Sequence, residues 1–171
     1  GKSKGIYKSL NCGLRSNDKK YRIRENLKIV KNKISKKSKN IFLLHQFHSN
    51  KLVYINDKFK FDNVKIKADA VITNQAKLPI AILTADCVPI LLYDKKKNTI
   101  AAIHAGWKGA FKDIITKVIN FMSKKGSKKK DIIAVIGPCI ASYNYNVGKE
   151  FEKRFIKKNK RNKIFFKNKK N

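Results

Sequence analysis

The sequence predicts an α/β (α+β) chain, a single compact domain of layered mixed β-sheets flanked by helices. Three observations predict it. Short apolar runs of strand length recur between residues 41 and 137. Two longer stretches place apolar residues at helical spacing. Turn-forming clusters separate these segments. The 171 residues match one domain, spanning 1–171, and suffice to bury a sizeable core.

The first helix is expected from about residue 19 to 37. Ile23, Leu27, Val30 and Ile34 share one face there, and Asp18 stands where an N-cap would. "IFLL" (41–44) and "LVYI" (52–55) read as short strands, with the polar "HQFHSN" between them. "ADAVITN" (68–74), "IAILTA" (80–85), "VPILLYD" (88–94) and "TIAAIHA" (99–105) are further strands. Lys95-Lys96-Lys97-Asn98 supplies a turn that makes the last two a hairpin. From Lys108 to about Ser123 the period becomes helical, with Phe111, Ile114, Ile115, Val118, Ile119 and Met122 on one face. "IIAVIG" (132–137) reads as a buried strand leading into the Gly137-Pro138 turn. A short helix near 147–157 precedes a charged tail, and no internal repeat or linker interrupts the pattern.

The formal charge of +31 invites a nucleic-acid reading, because a positive field concentrates polyanions. Its texture argues otherwise. The basic residues are 37 Lys against 5 Arg, scattered along the chain, whereas recognition of phosphate and base edges leans on Arg. No specific nucleic-acid partner is expected, although weak nonspecific RNA binding would follow from the charge alone. No run of apolar residues reaches transmembrane length, so no membrane partner is expected. The first residues, "GKSKGIYKSLNCG", lack the apolar core of a signal peptide and an initiator Met. The last residues stop just after Phe165-Phe166. Cys12, Cys87 and Cys139 form an odd, widely spaced set without CxxC, which points to a reducing, cytoplasmic setting rather than a disulfide framework. Nothing in the sequence indicates an oligomeric state.

The chemistry-bearing residues gather in "LTADCVPILLYDKKKNTIAAIHAGWKGAF", residues 83–111. Of the three histidines, His45 and His48 share a polar turn and His104 ends a strand. Zinc takes imidazole nitrogen and thiolate sulfur, and a catalytic site keeps three protein ligands and one open position. His48, Cys87 and His104 can supply such a set from three strand ends, if the fold assembles them. The same residues also allow a metal-free arrangement in which a histidine activates Cys87 as a nucleophile. Thiolate formation is common to both, so the sequence leaves them open. The plain readings also stand: Cys87 as a small buried hydrophobe, His104 as a satisfied polar group, Asp86 as a turn cap, and Trp107 as core. Gly106 and Gly109 are strand-to-helix punctuation or points of close backbone approach.

"ADAVITNQAKLPIAILTADCVPILLYD", "AAIHAGWKGAF", "IGPCI…YNVG" and the upstream "HQFHSN" together resemble the YfiH-like family, called laccase-domain or multicopper polyphenol oxidoreductases and also purine nucleoside phosphorylases. "GIYKSLNCGLRSND…ENL" is similar to that family's N-terminal region. The resemblance implies zinc held by His48, Cys87 and His104, which are then the catalytic residues as well. It implies phosphorolysis of adenosine, inosine, guanosine and methylthioadenosine, with adenosine deamination beside it. Purine nucleosides and phosphate are the implied partners. Asn11, Lys108 and Cys139 are the implied substrate-side residues, Cys139 packing close to the site, while Cys12 reads as structural. Lys108 departs from the family's usual Arg, and a lysine grips phosphate without the bidentate fork. Copper is the alternative metal, as in a polyphenol oxidase, but three histidines are too few for a laccase-type cluster. The other alternative function is a basic nucleic-acid-binding protein in which the site is vestigial. Family members carry further sequence at both ends, so the domain is expected to be incomplete at both ends.

Overall fold

A computed structural model of the chain describes residues 1–38, 40–60 and 66–167. It is a mixed α/β structure with two sheets and several helices. Gly1–Cys139 and Ile140–Asn171 form two compact units.

In the first unit, α1 (Lys20–Ile34) is followed by β1 (Phe42–Leu43), β2 (Leu52–Ile55), β3 (Ala70–Thr73), β4 (Ile80–Ala81), β5 (Val88–Asp94) and β6 (Thr99–Ala105). Then come α2 (Trp107–Phe111), α3 (Ile114–Lys124) and β7 (Ile132–Ile136). The main sheet has five strands in the order β2-β3-β6-β5-β7. β2 and β3 run parallel, and the other pairs are antiparallel. β1 and β4 form a separate parallel pair, with Phe42 opposite Ile80.

Both faces of the central strands are covered, which explains their nearly continuous apolar sequence. On one face Ala70, Ile72, Ala101 and Ile103 pack with Ile114, Val118 and Met122 of α3. On the other, Val71 and Ala102 pack with Leu44, Ile55 and Ala68, bordered by Phe42 of β1 and Ile80 of β4. Ile114, Val118 and Met122 are fully buried at four-residue spacing, each worth about 1.5–3 kcal/mol of apolar burial. The predicted β5–β6 hairpin forms in register from Val88↔Ala105 to Asp94↔Thr99. The Asp94 carboxylate closes its turn by accepting from the backbone N–H groups of Lys96 and Lys97.

Several expectations need correction. α1 stops at Ile34, not 37, and Ile34 is exposed. Asp18 does not cap the helix. Its carboxylate instead accepts from Ser3 Oγ and Asn11 Nδ2, joining a network in which Asn26 of α1 holds Lys2 N, Ser3 Oγ and Asn11 O. The strand expected over 80–85 keeps two residues, because the chain leaves β4 to reach Cys87. The helix expected over 108–123 is two helices, broken where Asp113 adopts φ 59°, a left-handed conformation Asp tolerates. β7 is a sheet edge, not a buried strand: Ile133, Val135 and Ile136 are exposed at 59, 56 and 68%.

In the second unit, α4 (Lys149–Lys158) answers the helix expected near 147–157. Phe151 and Phe155 stack at 4.7 Å between centroids, and Phe166 meets both rings edge-on. Phe165 is exposed. Among the described residues no helix is long and apolar enough to cross a membrane.

Candidate metal centre

The open end of the β5–β6 hairpin sets the site. Cys87 immediately precedes β5, and His104 lies one residue before the end of β6 opposite Pro89. His48 arrives from the turn between β1 and β2. One ligand atom from each of His48, Cys87 and His104 lies within 4.8 Å of the others. Among the described residues they are the one such group of three. The imidazoles of His48 and His104 meet at 4.9 Å between centroids with an interplanar angle of 73°. His104 is buried, Cys87 is half-buried and His48 is exposed, so the cluster straddles the boundary with solvent.

Three supports hold this geometry. The Asp69 carboxylate, fully buried just before β3, lies 2.8 Å from His104 Nδ1. It also accepts from Ser49 Oγ at 2.7 Å and from the backbone N–H groups of Phe47, His48 and Ser49. The Gln46 amide brackets Leu83, donating to its carbonyl and accepting from its N–H, both at 2.7 Å. That clamp ties the His48 turn to the loop that delivers Cys87. Finally, two glycines admit the turn. A Cβ on Gly106 would lie 2.8 Å from His48 Cδ2 and 3.1 Å from Cys87 Sγ, and one on Gly109 would lie 2.8 Å from the Ser49 carbonyl.

Burial pushes the Cys87 thiol up from its ordinary value, and the Asp86 and Asp69 carboxylates push the same way. Without a cation the thiol stays protonated at neutral pH, whereas an activated cysteine nucleophile needs a lowered value. At Asp69, burial alone would favour the neutral acid. The hydrogen bonds from His104, from the Ser49 hydroxyl and from the N–H groups of Ser49 and His48 outweigh it and bring the carboxyl to about 2.

A cavity of about 570 Å³ opens beside the cluster. Leu10, Asn11, Cys12 and Gly13 form one wall and Leu83 to Cys87 another, with Gln46, His48 and His104 between them. Asn11 thus reaches the cavity, but its amide is engaged internally with Ser16, Asp18 and the Gly13 N–H. Lys108 does not line it: the side chain is exposed, with Nζ 5.6 Å from the centre of the Trp107 ring. Trp107 is half-buried rather than core. Cys139 is exposed beyond the edge strand and does not line the cavity, so the expected close packing there is not found. Asp69 and Gln46 escape the sequence reading. For Asp69 a signal exists, a lone acid in an otherwise apolar run.

A family model described as multi-copper polyphenol oxidoreductase laccase matches residues 1–171. A Rickettsia conorii protein named purine nucleoside phosphorylase is 39% identical over 131 residues, covering 76% of this chain and 52% of its own length. A Bacteroides thetaiotaomicron protein of the same name is 34% identical over 164 residues, covering 92% and 61% respectively. The crystal structure of the Bacillus licheniformis hypothetical protein YfiH superposes with a TM-score of 0.81 at 30% identity, covering 90% of this chain and 60% of that one. The chain therefore spans between half and two-thirds of the length of these curated relatives.

Proposed function

The chain belongs to the multi-copper polyphenol oxidoreductase laccase family, and from that premise we propose that it is a zinc-dependent purine nucleoside phosphorylase with accompanying adenosine deaminase activity. The observation that carries this reading is the convergence of His48, Cys87 and His104 within 4.8 Å at the mouth of a cavity. Relatives named purine nucleoside phosphorylase support purine nucleosides and phosphate as the substrate class. Within that class adenosine, inosine, guanosine and methylthioadenosine are the substrates of our reading. The match over residues 1–171 supports reading the chain as one domain of that family. Its three free cysteines support a cytoplasmic setting.

The donor set fits the metal. Two imidazoles and one thiolate are a zinc combination, and three protein ligands leave a position open for chemistry. When bound, zinc supplies Lewis-acid charge that activates water or polarises the substrate. The chain's own residues do the rest. His48, Cys87 and His104 would hold the cation, and the Asn11–Gly13 and Leu83–Cys87 walls would define the space for the nucleoside. Gly106 keeps a side chain out of the space between His48 and Cys87.

The test is turnover by metal-replete protein given adenosine, with and without phosphate, following adenine, ribose 1-phosphate and inosine. Products above a Cys87→Ala control support the reading, and their absence in folded protein rejects it. Elemental analysis of protein purified without added metal separates the metals. About one zinc with little copper supports the zinc reading, and copper without zinc overturns it.

A further inference from the structure

We propose that Asp69 is the positioning residue of the metal centre, one buried carboxylate that orients both imidazoles at once. The inference rests on the reading of His48, Cys87 and His104 as ligands. An ionised carboxylate with no solvent exposure is costly unless its oxygens are satisfied. Here both are: Oδ1 faces His104 Nδ1 at 2.8 Å and the His48 N–H at 3.0 Å, and Oδ2 accepts from Ser49 N at 2.6 Å and Ser49 Oγ at 2.7 Å. A group surrounded by donors in this way acts as acceptor, so His104 carries its proton on Nδ1. Its Nε2 lone pair is then free for a metal. The main chain adds a second hold, because the Asp69 carbonyl accepts from His104 N at 2.8 Å.

His48 is reached through the backbone. It sits at φ 60°, a left-handed conformation that costs a non-glycine residue about 1–2 kcal/mol. The N–H groups of Phe47, His48 and Ser49 all turn toward the carboxylate, and these charge-assisted bonds offset that cost. Asp69 therefore fixes the His104 ring directly and the His48 ring by pinning its turn. Two segments distant in sequence, the Phe47–Ser49 turn and the end of β6, share one anchor.

The test compares wild type with Asp69→Asn, which keeps the shape but turns an amide N–H₂ toward a ring of donors. Zinc affinity is read by competition with a chromophoric chelator, and ligand geometry by the visible spectrum of the cobalt-loaded protein. The expected result is a loss of affinity of about 10–100-fold with an altered cobalt spectrum. Equal affinity and an unchanged spectrum overturn the proposal. If the variant does not fold, the histidine tautomer in metal-free wild type decides, read from long-range ¹H–¹⁵N correlations. His104 protonated on Nδ1 upholds the proposal, and protonation on Nε2 overturns it. Wild type that binds neither zinc nor cobalt defeats the metal reading itself, a result distinct from a failure of Asp69.

Discussion

Gly106 and His48 meet so closely that a Cβ on the glycine would stand 2.8 Å from the imidazole Cδ2. The contact links a loop before a helix to a turn between two strands, and it leaves no room for a methyl group. Gly106→Ala is expected to displace His48 or Cys87. Overpacking of this kind costs about 1–3 kcal/mol. Urea unfolding should show that loss, and chelator competition should show zinc affinity reduced at least about tenfold. Unchanged affinity would mean that the ring and thiol can move aside without consequence for the metal.

The Gln46–Leu83 clamp predicts a different phenotype. Gln46→Ala removes two hydrogen bonds, worth about 1–2 kcal/mol together, and frees the loop before Cys87. Stability and zinc affinity should both fall, while the His104–Asp69 contact survives. Denaturation and metal competition, with imidazole NMR as the control, check this.

Acid sensitivity follows from Asp18. The hydrogen bond from Ser3, aided by Asn11, the Lys19 N–H and the Arg22 charge against the opposing effect of burial, holds its carboxyl below the usual range. A folded value below the unfolded one, about 3.9, stabilises the fold above that pH and stops doing so as pH falls through the lowered value. Wild type should therefore exceed Asp18→Asn in stability at neutral pH, and the gap should close below about pH 4. Unfolding curves for both proteins across pH measure it, and a gap of constant size would contradict the assignment.

The two valines Val71 and Val135 test the sheet. Val71 is fully buried in β3 and Val135 is 56% exposed on β7. Val→Thr keeps the shape and adds a hydroxyl. Burying that hydroxyl unpaired costs about 1–3 kcal/mol, so Val71→Thr should destabilise by this amount and Val135→Thr by less than about 0.5 kcal/mol. Urea denaturation of both variants is sufficient.

Much of this architecture was legible in the residues. β3 and β6 announce themselves by apolar runs because both their faces are covered, and Lys95–Asn98 marks the hairpin turn. Two misreadings share a cause: apolar pattern reports what a segment can bury, not where it lies. Hence β7 reads as core although it forms an edge. Likewise the helical period runs unbroken past Asp113, whose left-handed backbone leaves no trace in hydrophobicity. In the site, residues of distinctive chemistry stood out, and their supports did not. Asp69 and Gln46 act through hydrogen bonds to segments more than twenty residues away.

Cobalt substitution tests most directly whether the two imidazoles and the thiol share one ion. The cobalt-loaded chain should bind one equivalent and show a thiolate-to-cobalt charge-transfer band that disappears in Cys87→Ala. Loss of His48 or His104 should weaken binding and alter the visible bands. A cobalt-loaded protein without the thiolate band, or one whose band persists in Cys87→Ala, would contradict the account.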